Sequence, residues 1–197
     1  MVPHLPTLVL TALISAAPAA AQHALLPPLR FLGIEVGLPL AELRQEVAAL
    51  SGSALRCDRS RRDPSVHECR GSVLSPGSGQ PLALWASVID SATGILTLSG
   101  PVTGAQLDEW KTVLVTDYGT VGAQVQGSQW MMQWVRQGRM IRLTWRIENG
   151  AKVVSVSLVD GRVLDAWGRR RFGGSGSRHD APPPPDTTAM PAPAGRR

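Results

Sequence analysis

Residues able to do acid–base or metal chemistry are sparse in this chain. Beyond residue 21 the histidines are His23, His67 and His179. A Ser-His-Asp arrangement would have to use His67, which sits between Cys57 and Cys69. There is no G-x-S-x-G elbow and no glycine motif of the kind that cradles phosphate. Zinc needs more ligands than His67 and two cysteines, and no second histidine is near. Asp108 and Glu109 are adjacent on a predicted helix, so their carboxylates diverge; near a helix start they meet the positive end of the dipole. Asp160 and Asp165 flank a terminal turn with nothing to tie them together. These residues point to no catalytic group, no metal site and no cofactor. One spacing does make a bond. Cys57 and Cys69 are the two cysteines, and an even count in an exported chain reads as a disulfide. Asp58 to Glu68 between them is rich in Arg, Asp and Ser and contains Pro64, so it reads as a loop that cannot bury itself. Closing a loop of this size is worth about 3 kcal/mol.

Export is itself a reading of the N-terminus. Leu8 to Ala17 is an apolar run, Pro18 breaks it, and Ala19-Ala20-Ala21 supplies small residues. This predicts a signal peptide over 1–21 with cleavage before Gln22, and hence a periplasmic or secreted protein. The run is too short to span a bilayer, and no later segment is long enough. The formal charge of +5 is unevenly placed, with +4 of it in residues 168–197. A nucleic-acid binder concentrates basic groups on its folded surface, so no nucleic-acid partner is expected. Residues 168–197 hold Arg169–Arg171, a Gly/Ser stretch and four prolines at Pro182–Pro185. They read as a disordered or extended tail, whose arginines offer at most weak contact with an anionic membrane surface.

The elements that remain must position whatever the protein uses. Residues 22–30 are a lead-in. Leu40, Leu43, Val47 and Leu50 fall at helical spacing behind Pro39, and Gly52 ends the run. Thr103 and Gln106 form a capping box ahead of Leu107, Trp110, Leu114 and Tyr118, and Gly119 stops that helix. Alternating runs follow each helix, Leu82 to Ile89 and Gly94 to Gly100 in one case, Ile141 to Glu148 and Val154 to Gly161 in the other. The expected fold is α+β, as two tandem similar units over 31–100 and 101–167. Each is a short helical segment packed on one face of an antiparallel sheet.

Asn149-Gly150 between alternating runs predicts a two-residue hairpin, because both central residues need positive φ. It pairs Trp145 with Val154, Leu143 with Val156 and Ile141 with Leu158. A second turn at Gln137-Gly138 pairs Trp134 with Ile141, Met132 with Leu143 and Trp130 with Trp145. The Trp/Met stripe has the look of a ligand groove, but this register turns it inward, under Leu107, Trp110 and Leu114; a one-residue slip would invert the assignment. Outward go Met131, Gln133, Arg142, Thr144, Arg146, Ser155 and Ser157, with Trp85, Ser87, Ile89, Ile95 and Thr97 as their equivalents in the first unit. Such a face is either a plain solvated surface or a docking platform. Trp and Arg favour the second, since they dominate interface hot spots. The candidate binding residues are therefore Trp85, Met131, Gln133, Arg142, Thr144, Arg146, Ser155 and Ser157.

Phe31-Leu-Gly-Ile-Glu-Val-Gly ahead of the first helix, the twelve-residue step from Cys57 to Cys69, and Cys69-Arg70-Gly71 resemble the β-lactamase inhibitory protein family. The second unit carries no matching cysteine pair. The helix-then-strands unit is also similar to the small lipoprotein of the outer-membrane barrel assembly machinery. The resemblance implies an exported, non-enzymatic, protein-binding module. Its partner would be an extracytoplasmic enzyme that it inhibits or a cell-envelope complex in which it is a structural accessory.

Overall fold

A computed structural model of the chain describes residues 27–51 and 53–173. The expected signal peptide, most of the lead-in and residues 174–197 lie outside them. In chain order the elements are β1 (Arg30–Phe31), β2 (Ile34–Glu35), α1 (Leu40–Ser51), β3 (Arg56–Arg59), β4 (Val66–Leu74), β5 (Pro81–Ile89) and β6 (Ala92–Val102). Then come α2 (Gly104–Tyr118), β7 (Gln124–Gln126), β8 (Gln129–Arg136), β9 (Arg139–Glu148), β10 (Ala151–Asp160) and α3 (Gly161–Gly173). β1 and β2 form a small hairpin, and the other strands form one antiparallel sheet of order β3-β4-β5-β6-β10-β9-β8-β7. Among the described residues the fold is α+β, with one large antiparallel sheet and three helices.

The two turns read from the C-terminal half are present. Asn149 and Gly150 have φ of 49° and 81°, and Gln137 and Gly138 have 49° and 73°. All six cross-strand pairs expected from them are in register. One face of the sheet thereby carries Leu84, Leu96, Leu98, Met132, Trp134, Ile141, Leu143, Val154, Val156 and Leu158, all buried. Leu43 and Val47 of α1 and Leu107, Trp110, Leu114 and Tyr118 of α2 join the same core. Thr103 caps α2, its Oγ1 accepting from Gln106 N–H at 3.1 Å. The return half of the capping box does not form. The Gln106 amide instead donates to Ser75 Oγ, and to Ser78 Oγ at 3.1 Å, tying α2 to the β4–β5 connection. Tyr118 clamps the entry strand, its hydroxyl accepting from Arg30 N–H at 2.9 Å and donating to Arg30 O at 2.8 Å.

Five expectations are corrected. The segment between the cysteines is mostly a hairpin rather than a loop: Cys57 and Cys69 are register partners in β3 and β4, disulfide-bonded, with Cα atoms 4.0 Å apart. The break expected at Gly168 lies inside α3, which continues to Gly173 because Trp167, Arg170 and Arg171 find partners on the body. Trp130 is on the inner face by register but stays 37% exposed. It stacks on half-buried Trp145, over whose ring Lys111 of α2 sits 4.5 Å away. Ser87 and Ile89, expected on the open face, are buried where α3 crosses that end of the sheet. There Ile89, Val163 and Leu164 converge on Gly94, the extra residue of a bulge opposite Ser87 and Val88. Finally, Asp160 is anything but untied. It is 1% exposed and accepts from Arg139 Nε at 2.9 Å and from Arg162 Nη2 at 2.7 Å.

Candidate binding face

Register builds the site. One row of cross-strand partners runs Arg56, Arg70, Trp85, Thr97, Ser157, Arg142, Gln133 across β3, β4, β5, β6, β10, β9 and β8. At strand spacing it is about 29 Å long. The adjacent row runs Ser72, Ala83, Ser99, Ser155, Thr144, Met131, Gln124. Arg146 follows on β9, two residues beyond Thr144. The eight candidate residues thus share one face, opposite the face that α1 and α2 cover. Their side chains pack into a polar ladder. Thr97 Oγ1 and Ser157 Oγ are 3.1 Å apart, and Thr144 Oγ1 donates to Ser155 O at 3.3 Å. Arg146 Nε donates to Glu148 Oε1 at 2.6 Å. Arg142 donates through Nε at 3.1 Å and Nη2 at 3.0 Å to the single acceptor Gln133 Oε1. Trp85 stands 37% exposed between Arg70 and Thr97.

Arg56 and Arg70 belong to this face but are absent from the sequence-based set. The signal was there: with Cys57 opposite Cys69, the residues flanking them fall into register, and Arg56 meets Arg70. Its charge gives the segment the look of a loop, which hides two strands and their outward residues.

The face is bounded at its turn end by α3. Trp167 Nε1 donates to Asp63 Oδ2 at 2.8 Å, Arg171 Nη1 to the same atom at 3.1 Å, and Arg170 bonds Asp90. Hydrogen bonds from Ser65 and then Trp167 lower the Asp63 carboxyl from 3.8 to about 2. A cavity of about 440 Å³ beside α3 is lined by Gly37, Asp90, Arg139, Asp160, Arg162 and Arg170 among others. Its arginines are already spent on Asp160 and Asp90. Burial there raises the Asp160 carboxyl, but hydrogen bonds from Arg162 and Arg139 outweigh it and bring it from 3.8 to about 2. On the far side, burial and then neighbouring Glu35 raise Glu46 above its ordinary 4.5. Among the described residues no three His, Cys, Asp or Glu side chains gather as metal ligands. Among them, too, no helix is long and apolar enough to cross a membrane. No protein-family model, curated protein or solved structure matches the chain.

Proposed function

We propose that this is an exported, non-catalytic protein-binding module that docks a partner on the bare face of its sheet. The observation that carries the reading is the gathering of Trp85, Met131, Gln133, Arg142, Thr144, Arg146, Ser155 and Ser157 on one continuous surface that α1 and α2 leave open. A rigid platform with an exposed Trp and oriented Arg side chains has the make-up of an interface core. The element order, α1 then β3–β6 and α2 then β7–β10, supports two tandem similar units whose last strands, β6 and β10, meet at the centre. That arrangement and the disulfide favour inhibitor-like binding of an extracytoplasmic enzyme in the periplasm or outside the cell. A second reading, an accessory subunit of an envelope complex, draws on Phe172, which is 70% exposed at the end of α3 beside exposed Arg169.

The test starts from a partner cross-linked to the full chain in native envelope extract and then purified. Calorimetric titration is expected to give one-to-one binding. Trp85→Ala with Arg142→Ala is expected to weaken it at least about 100-fold, the scale of two hot-spot losses, with the melting temperature unchanged within a few degrees. Unaltered affinity would show that the partner sits elsewhere.

A further inference from the structure

We infer that the partner is a protein segment that places a carboxylate on Arg142 and an apolar side chain on Trp85; this rests on the docking reading above and specifies its chemistry. The arginines of the described residues fall into two groups. Arg30, Arg139, Arg146, Arg162, Arg170 and Arg171 each have a carboxylate within 4.0 Å. Arg142 is half-buried, and its partners are neutral: Gln133 Oε1 accepts from it twice, and Met140 Sδ lies 3.8 Å from Nη2. Its cross-strand neighbours are Ser157 and Gln133, and its same-face neighbours on β9 are Met140 and Thr144, none of them acidic.

A half-buried guanidinium without a counter-ion costs stability that a neutral residue would not. Gln133 does not neutralise it. The amide holds Nε and one side of Nη2, the weak acceptor Met140 Sδ meets Nη2 at 3.8 Å, and Nη1 at the end of the fork points away from the amide, so a carboxylate arriving there displaces only a thioether. That end is the geometry a carboxylate engages with two parallel hydrogen bonds. Gln133 is thus a positioning residue for a charge kept free. Arg70, exposed beside Trp85, also has no carboxylate within 4.0 Å among the described residues, so the row from Arg56 to Gln133 carries three arginines and no acidic residue, while Asp58 and Glu68 stand in the next row beside Arg56 and Arg70. Charge complementarity at Arg142, toward the end of the row away from Asp58 and Glu68, calls for an acidic group there.

Spacing narrows it further. Trp85 and Arg142 are partners in one row separated by three strand steps, β5 to β6 to β10 to β9. That is about 14 Å, or about four residues of extended chain laid across the strands. The expected motif is an Asp or Glu four residues from a large apolar side chain.

The experiment selects 12-residue peptides from a random phage-displayed library on the immobilised full chain. Enriched peptides are expected to carry that motif. Arg142→Gln should weaken the best peptide at least tenfold with the melting temperature kept. Gln133→Ala should speed dissociation several-fold while the salt dependence of association persists, because the charge remains and only its orientation is lost. Peptides that bind, are lost on Trp85→Ala, and yet lack acidic residues or ignore Arg142→Gln would overturn the carboxylate and leave the docking face standing. If no selected peptide responds to Trp85→Ala or Arg142→Gln, the face itself is refuted. Equal binding at Arg142 by a single-stranded oligonucleotide of similar length would overturn the protein-specific form of the inference.

Discussion

Asp160 shows how much a single side chain can organise. It ends β10, starts α3 through its contact with Arg162 N–H at 3.0 Å, and fixes Arg139 at the head of β9. Gly37 fits the same corner only as glycine: its φ is +89°, and a Cβ there would sit 2.7 Å from Arg139 Nη2 and 2.8 Å from Asp160 Oδ2. Asp160→Asn is expected to cost about 3 kcal/mol by urea unfolding, because it leaves half-buried Arg139 with only the longer 4.0 Å contact to Glu35 and removes the charge partner of Arg162. The pH dependence follows from the folded carboxyl titrating at about 2, below its ordinary 3.8. The unfolded chain binds the proton first as pH falls. The associated stability, on the order of 2 kcal/mol, is therefore present above about pH 4 and is lost as pH drops through about 2. Urea midpoints between pH 2 and pH 5 should slope less steeply in Asp160→Asn than in the parent. The Arg162 contacts are local, whereas Arg139 lies 21 residues away in sequence and meets Asp160 through the same β9–β10 register that pairs Ile141 with Leu158.

At the scale of elements, legibility followed the strength of local pattern. The hairpins around Gln137-Gly138 and Asn149-Gly150 were readable because turn chemistry and alternation agree, and their register then fixed both faces. β3 and β4 were not readable, because an edge hairpin dense in Arg and Asp carries no apolar alternation and is held by a disulfide instead. α3 was hidden for a related reason. Its apolar residues are few, and three arginines in a row look like solvated tail until Asp63 and Asp90 are placed beneath them. Helices of this length are marginal without tertiary contacts. Asp63→Ala removes the acceptor of both Trp167 and Arg171. Hydrogen exchange across α3 is then expected to quicken at least about tenfold, with exchange in β9 and β10 unchanged. Protection of α3 equal to the parent's would mean that Val163 and Leu164 hold it alone.

For the whole molecule the informative fact is that α1, α2 and both four-stranded meanders feed one core. β6 and β10 pair along almost their whole length, so neither half presents a finished edge without the other. Fragments 27–102 and 103–173 should each lack a cooperative thermal transition, and mixing them should restore the tryptophan near-UV signal of the parent. A sharp transition in 103–173 alone would show an autonomous unit. The eight face residues were foreseen because they depend on alternation within strands, whereas the shape of the face depends on α3. That helix stands as a ledge across one end of the sheet, burying Ser87 and Ile89 beneath it. The platform is consequently a bay with a back wall. On the docking reading, a partner laid along the strands would meet that wall, and its contour would have to stop short where Trp167 begins.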